Sequence, residues 1–199
     1  MAQPKTLLQM AGVDPKPHRL SESVLLLIDM QNEYETGALP LPDVRAATKE
    51  AAILLERARA AGTPVVHVQH KGAPGGLFDV EDKRGGFLVD VEPKPGEPVV
   101  QKPRPNSFSD TNLQDVLQGI GRKNLIVAGF MTHMCVSATV RVALDLGYGS
   151  TVVADAAATR DLPARNGGVI AARDLHEAEL TALSDRFAAI ADGAADIPD

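Results

Sequence analysis

The chain has 199 residues and a net charge of −6. That length fits one α/β domain with a sizeable core, and an acidic balance without a clustered Lys/Arg stripe argues against a nucleic-acid surface. One cysteine excludes an intrachain disulfide and suits a reducing compartment, so a cytoplasmic location is expected.

Met1–Leu20 reads as an N-terminal extension of polar and proline positions, without an apolar core long enough for a signal peptide. No later span approaches the roughly twenty apolar residues of a membrane helix. Ser23–Ile28 is a continuous apolar run, as expected of a strand buried on both faces. Asp43–Ala61 is helix-like and ends at Gly62-Thr63-Pro64; Val65–Gln69 follows as a strand. Lys71–Gly96 is rich in glycine, proline and charge. Loops this long are uncommon unless functional or mobile, and Phe78 and Phe87 are candidates to cap a pocket here or in a neighbouring subunit, against a plain surface excursion. Pro98–Pro103 is a short extended run. The spacing then predicts a helix over Thr111–Gln118, a strand over Asn124–Ala128, a helix over Cys135–Leu146, a strand over Ser150–Ala154, a helix over Leu175–Leu183 and a last short strand in Phe187–Ala191. Such alternation calls for right-handed crossovers and a parallel sheet, with residues 21–199 as a single domain.

Three segments carry candidate chemistry. Cys135 lies in Gly129-Phe130-Met131-Thr132-His133-Met134-Cys135-Val136, where a buried strand turns into a helix. Unpaired N–H groups and the helix dipole favour a thiolate there, which makes Cys135 a candidate nucleophile; a small buried packing residue is the alternative. Asp29 ends the first strand in Asp29-Met30-Gln31-Asn32, where an open α/β sheet places its chemistry, although a turn cap would use the same residues. Lys102 sits before Pro103, which keeps it out of helical backbone; alone it would read as solvated surface.

Together these segments resemble the isochorismatase-like cysteine hydrolase superfamily, which includes isochorismatases, nicotinamidases, N-carbamoylsarcosine amidase and streptothricin hydrolase. The match takes in Asp29-Met30-Gln31-Asn32, Lys102 with Asn106-Ser107-Phe108, the Gly129–Val136 run, Thr139–Tyr148 and Asp155–Thr159. It extends from Ser23 to about Phe187, and the Gly129–Val136 run looks most like the streptothricin hydrolase branch of amidases. The resemblance implies a three-layer α/β/α sandwich with a mainly parallel, Rossmann-like six-stranded sheet, and a homodimer or tetramer. It also implies an Asp29, Lys102, Cys135 triad. In it Asp29 takes the thiol proton, Lys102 stabilises the thiolate and Cys135 forms an acyl-enzyme with a small-molecule substrate. Backbone N–H groups of Met131 and Cys135 would receive the oxyanion, aided by a cis Phe130-Met131 peptide. Members of isochorismatase type lack this cysteine and cleave a vinyl ether. Its presence favours C–N bond hydrolysis.

Nicotinamidases carry an Asp-x-His pair and further histidines for a metal. The corresponding Glu33–Pro40 stretch holds no histidine, so no metal and no cofactor is expected. His67 and His70 point to opposite faces of their strand. His67 reads as a core histidine with a satisfied hydrogen bond, whereas Gln69 and His70 at the strand end could line a pocket. Gln31, Phe108 and His133 are further candidates for substrate contact; Asn106 and Tyr34 could shape the rim. Ser107 and Ser109 lack a Gly-x-Ser-x-Gly elbow. Arg141 and Asp145 could pair along their helix or meet a partner chain. Against the hydrolase stand a catalytically silent small-molecule or partner binder and a redox protein. The last would need an intersubunit disulfide, because the chain has no resolving thiol.

Overall fold

The computed structural model describes residues 3–199. Its sheet has six parallel strands: β1 (Ser23–Ile28), β2 (Val65–His70), β3 (Val99–Lys102), β4 (Asn124–Phe130), β5 (Gly149–Ala158) and β6 (Ala189–Ala191), in the spatial order β3-β2-β1-β4-β5-β6. Four helices cover it: α1 (Val44–Ala60), α2 (Leu113–Ile120), α3 (Ser137–Asp145) and α4 (Ala172–Arg186). The expected three-layer, mainly parallel α/β architecture is the one observed.

The strand sequences explain the two-sided burial. In β1 the odd positions Leu25 and Leu27 join Ile126, Ala128 and Val153 against Ala51, Leu54, Leu55 and Ala58 of α1. The even positions Val24, Leu26 and Ile28 join Val66, Val68, Val127 and Val152 against α2, α3 and α4 through Leu117, Val140 and Leu183. Successive side chains leave opposite faces, so a run apolar at every position feeds two cores.

The strand order reverses between β1 and β4, the place where open α/β sheets form a crevice beyond their carboxyl ends. Asp29 follows β1, the elbow follows β4, and β2 and β3 end on His70 and Lys102. Those two are register partners. The topology therefore brings segments far apart in sequence to one sheet edge.

Several boundaries differ from the sequence expectation. The helical stretch at Cys135 begins earlier, as a wide π-type turn over Thr132–Val136 in which the Val136 N–H donates to Met131 O at 3.2 Å. α2 starts at Leu113 because the Thr111 hydroxyl is taken by Ser107 O and the Leu113 N–H. α4 is longer at both ends than Leu175–Leu183. β5 runs on to Ala158 because a register shift opposite Val127–Gly129 lets Ala157 and Ala158 pair with Gly129 and Phe130. Arg141 meets neither Asp145 nor solvent alone; it pairs with Glu179 of α4 at 3.0 Å and lies over the Phe187 ring.

Within the amino-terminal extension, Leu20 is the residue that packs into the core. Leu20 is fully buried, its N–H donates to Pro198 O, and its carbonyl accepts from Thr63 and Arg122. The long 71–96 loop carries two 3-10 turns, Lys83–Gly85 and Val89–Val91. The Gly85 carbonyl accepts from both Gln31 (2.8 Å) and Gln69 (2.9 Å). A side chain at Gly85 would come within 2.1 Å of Asp79 O, so only glycine fits that turn. Among the described residues no helix is long and apolar enough to cross a membrane.

Candidate active site

Asp29 occupies the left-handed region at φ 52°, a conformation that Asp tolerates better than most residues. Its N–H still pairs with Val68 O, and its carbonyl accepts from the Gln31 N–H, a tight turn at the end of β1. At Gly129, φ is 127° and a Cβ would come within 2.0 Å of Ile28 O. Only glycine lets β4 lie that close to β1 just before the elbow. The Phe130-Met131 peptide that follows is cis, the conformation implied by the resemblance.

These backbones bring Asp29, Lys102 and Cys135 together. Asp29 and Lys102 are fully buried and Cys135 is 3% exposed. Lys102 Nζ lies 2.6 Å from Asp29 Oδ2 and 3.3 Å from Cys135 Sγ. It also lies 3.1 Å from His70 Nδ1 and 3.0 Å from Arg104 O. A carboxylate oxygen of Asp29, a ring nitrogen of His70 and Sγ all fall within 4.8 Å of one another, a set with metal-ligand chemistry. The Lys102 ammonium already lies within 3.3 Å of an atom of all three, however, and a divalent ion there would sit against a fixed positive charge.

The electrostatics differ from the sequence expectation. A helix end and a lysine were expected to favour a thiolate. Instead burial, followed by the Asp29 charge, pushes the Cys135 thiol up to about 12, with Lys102 pulling the other way. Burial also raises Asp29 above the usual carboxylate range despite Lys102. Desolvation outweighs one cation when the acid is wholly removed from water. In the resting site the proton stays on sulfur, beside a carboxylate made more basic by the same burial. His70 is lowered to about 4, by burial and then by Lys102, so its ring is neutral.

The other candidate residues have definite places. The Gln31 amide donates to His70 O and Gly85 O and accepts from the His70 N–H; Gln69 donates to Gly85 O and accepts from Gln101. Both side chains are spent on holding the 71–96 loop to the sheet. Phe108 stacks on Tyr148 with ring centroids 6.2 Å apart. His133, half-buried, bonds to the Thr159 hydroxyl, and Thr132 bonds to His176 at 2.8 Å. Phe78 is buried between Tyr34 and His70, with centroids at 5.1 and 5.0 Å, while Phe87 packs on His67. His67 is the buried, hydrogen-bonded core histidine expected of it, 2.9 Å from Glu97. Sequence reasoning missed the His70–Lys102 contact, which depends on parallel register, and the Arg104 carbonyl, which has no side-chain signal. A cavity of ≈ 490 Å³ near α1 and α4, lined by Glu50, Asp155, Thr159 and His176 among others, includes none of the triad.

The family model for the isochorismatase domain matches residues 23–195. The chain is 40% identical over 181 residues to the secreted isochorismatase effector Isc1 of Verticillium dahliae, covering 89% of this chain and 92% of that protein. It is 38% identical over 164 residues to streptothricin hydrolase of Streptomyces noursei, covering 82% of this chain but 57% of the hydrolase. Among solved structures, an isochorismatase from Pseudomonas putida KT2440 superposes with a TM-score of 0.93 at 43% identity, over 98% of this chain and 100% of that one. A domain match over nearly the whole sheet, on a fold shared end to end with a solved isochorismatase, places this chain in the isochorismatase family, as an enzyme of its hydrolase group.

Proposed function

We propose that the protein hydrolyses a C–N bond of a small amide, lactam or carbamoyl compound through an acyl-enzyme on Cys135. The observation that carries this is the buried contact of Lys102 Nζ with both Asp29 and Cys135 Sγ. It is supported by the thiol itself, which isochorismatase-type members of the resembled superfamily lack, and by likeness to streptothricin hydrolase.

The proposed steps combine this contact with the roles that the superfamily resemblance implies. Asp29 takes the thiol proton as sulfur attacks the carbonyl carbon, and Lys102 neutralises the sulfur while it is anionic. The tetrahedral oxyanion is received by backbone N–H groups of Met131 and Cys135 on the elbow. Asp29 passes its proton to the departing nitrogen, and water, activated by the regenerated carboxylate, releases the acid. Because the resting thiol is protonated, nucleophile formation belongs to the attack itself.

The near-closure of the site, with Cys135 only 3% exposed, favours one rival: a family member that binds a small molecule without turning it over. A panel of primary amides, lactams and N-carbamoyl compounds, scored by ammonia or amine release, separates the two. Turnover is expected in the parent, with acyl adduct on Cys135 by mass spectrometry, and a loss of at least about a thousandfold in Cys135→Ala. Undiminished turnover in that variant would refute the mechanism. Ligand-induced stabilisation without turnover in the parent would support the silent binder.

A further inference from the structure

An ammonium group carries three N–H donors and no acceptor. Around Lys102 Nζ there are four acceptors in range: Asp29 Oδ2 at 2.6 Å, Arg104 O at 3.0 Å, His70 Nδ1 at 3.1 Å and Cys135 Sγ at 3.3 Å. One of the four must go short at any moment. His70 is the acceptor held most firmly from outside. Its N–H and C=O are both bonded to the Gln31 amide, its ring lies against Phe78, and Phe78 is itself fastened by its N–H to buried Glu33 at 3.1 Å. Parallel register with Lys102 fixes its height on the sheet edge.

We propose that His70 is a positioning residue for Lys102. Its Nδ1 and the Arg104 carbonyl fix two of the ammonium's N–H bonds and leave the third to alternate between Asp29 and Cys135. This rests on the triad reading above and goes beyond it. When the Cys135 S–H bond breaks, its proton forms an O–H bond on Asp29 and sulfur keeps the electron pair. The third N–H of Lys102 then follows the negative charge from Asp29 Oδ2 to Sγ. When the proton leaves Asp29 for the departing nitrogen, the ammonium returns to the carboxylate. Without the two neutral acceptors the ammonium would close on Asp29, and the sulfur would be left without its cation. Because an ammonium cannot accept, the His70 Nδ1 must be unprotonated and the ring proton must sit on Nε2. The lowered His70 pKa agrees with that neutral form.

The test is the rate of iodoacetamide alkylation of the one thiol at about pH 8 in the parent, Lys102→Ala, His70→Leu and His70→Asn. Asn returns an acceptor near the Nδ1 position; Leu fills the space without one. His70→Leu is expected to slow labelling about tenfold, and His70→Asn to recover it to within about threefold. A packing defect would expose the buried thiol and speed labelling, so a decrease reports lost charge support and not lost structure. If Lys102→Ala slows labelling but His70→Leu does not, or if Asn fails to rescue, the His70 role is wrong and the triad reading stands. If Lys102→Ala leaves the rate unchanged, the triad reading falls and this role with it. Imidazole nitrogen NMR of the parent needs no variant: the Nε2–H tautomer is expected for His70 near neutral pH, and an Nδ1–H tautomer would overturn the proposal.

Discussion

A buried thiol beside a buried carboxylate is governed by competition between desolvation and charge. Burial and Asp29 both raise Cys135, and Lys102 alone opposes them. This gives a prediction that separates thiol reactivity from catalysis. In Asp29→Asn the negative charge that raises Cys135 is removed while Lys102 stays. Iodoacetamide labelling at neutral pH should therefore become faster, by about tenfold per unit of thiol pKa lost, whereas the amide turnover proposed above should be lost with its proposed base. Slower labelling in that variant would mean that Asp29 supports the free thiolate instead of opposing it. At this scale Asp29, Lys102 and Cys135 were legible through the superfamily resemblance, because the flanks of the three segments match its motifs together while each residue alone had an ordinary structural reading. The protonation state was not, because the depth of burial is set by the loops packed over them.

At the scale of elements, the loop after β2 and the helix α1 are tied by one carboxylate. Glu97 accepts from Arg59 through both oxygens at 2.8–2.9 Å, from His67 at 2.9 Å and from the Lys94 N–H at 2.8 Å. Burial raises its pKa, but these donors outweigh it and hold the carboxyl at about 2. A depressed acid stabilises the fold above its ordinary value near 4.5 and loses that contribution as pH falls towards 2. Urea unfolding of the parent between those limits should thus show a decline that is shallower in Glu97→Gln by about 1 kcal/mol, once solvent screening is allowed for. Parallel declines would remove Glu97 from the acid sensitivity. Most strands and helices could be read from apolar periodicity, since β1 and β4 are continuous buried runs. The ends of α2, α4 and β5 could not. Their limits depend on a threonine hydroxyl diverted to a turn, on packing partners and on a register shift, none of which is a property of the local sequence.

For the whole molecule, Leu20 of the amino-terminal extension joins the start of the sheet to the carboxyl-terminal residues through its bond to Pro198 O. The side chain is fully buried and its backbone bonds reach Pro198, Thr63 and Arg122. Leu20→Ala should therefore destabilise the protein by about 2–4 kcal/mol, the range for emptying a packed leucine site. A change below about 0.5 kcal/mol in chemical denaturation, the level of a surface substitution, would return this segment to the status of an appendage. The segment looked like an extension in sequence because its polar and proline positions show no period. Its anchoring comes from single contacts distant in the chain.

The sequence alone determined the layered α/β class, because two-faced apolar strands are local patterns, and its motif resemblance singled out Asp29, Lys102 and Cys135 as the candidate chemical residues. Tertiary structure decided what those residues can do. Parallel register set His70 on Lys102, the close approach of β1 and β4 at Gly129 set the elbow, and complete burial kept the proton on Cys135. Each of these depends on distances between segments separated by tens of residues, and a linear pattern carries no record of distance.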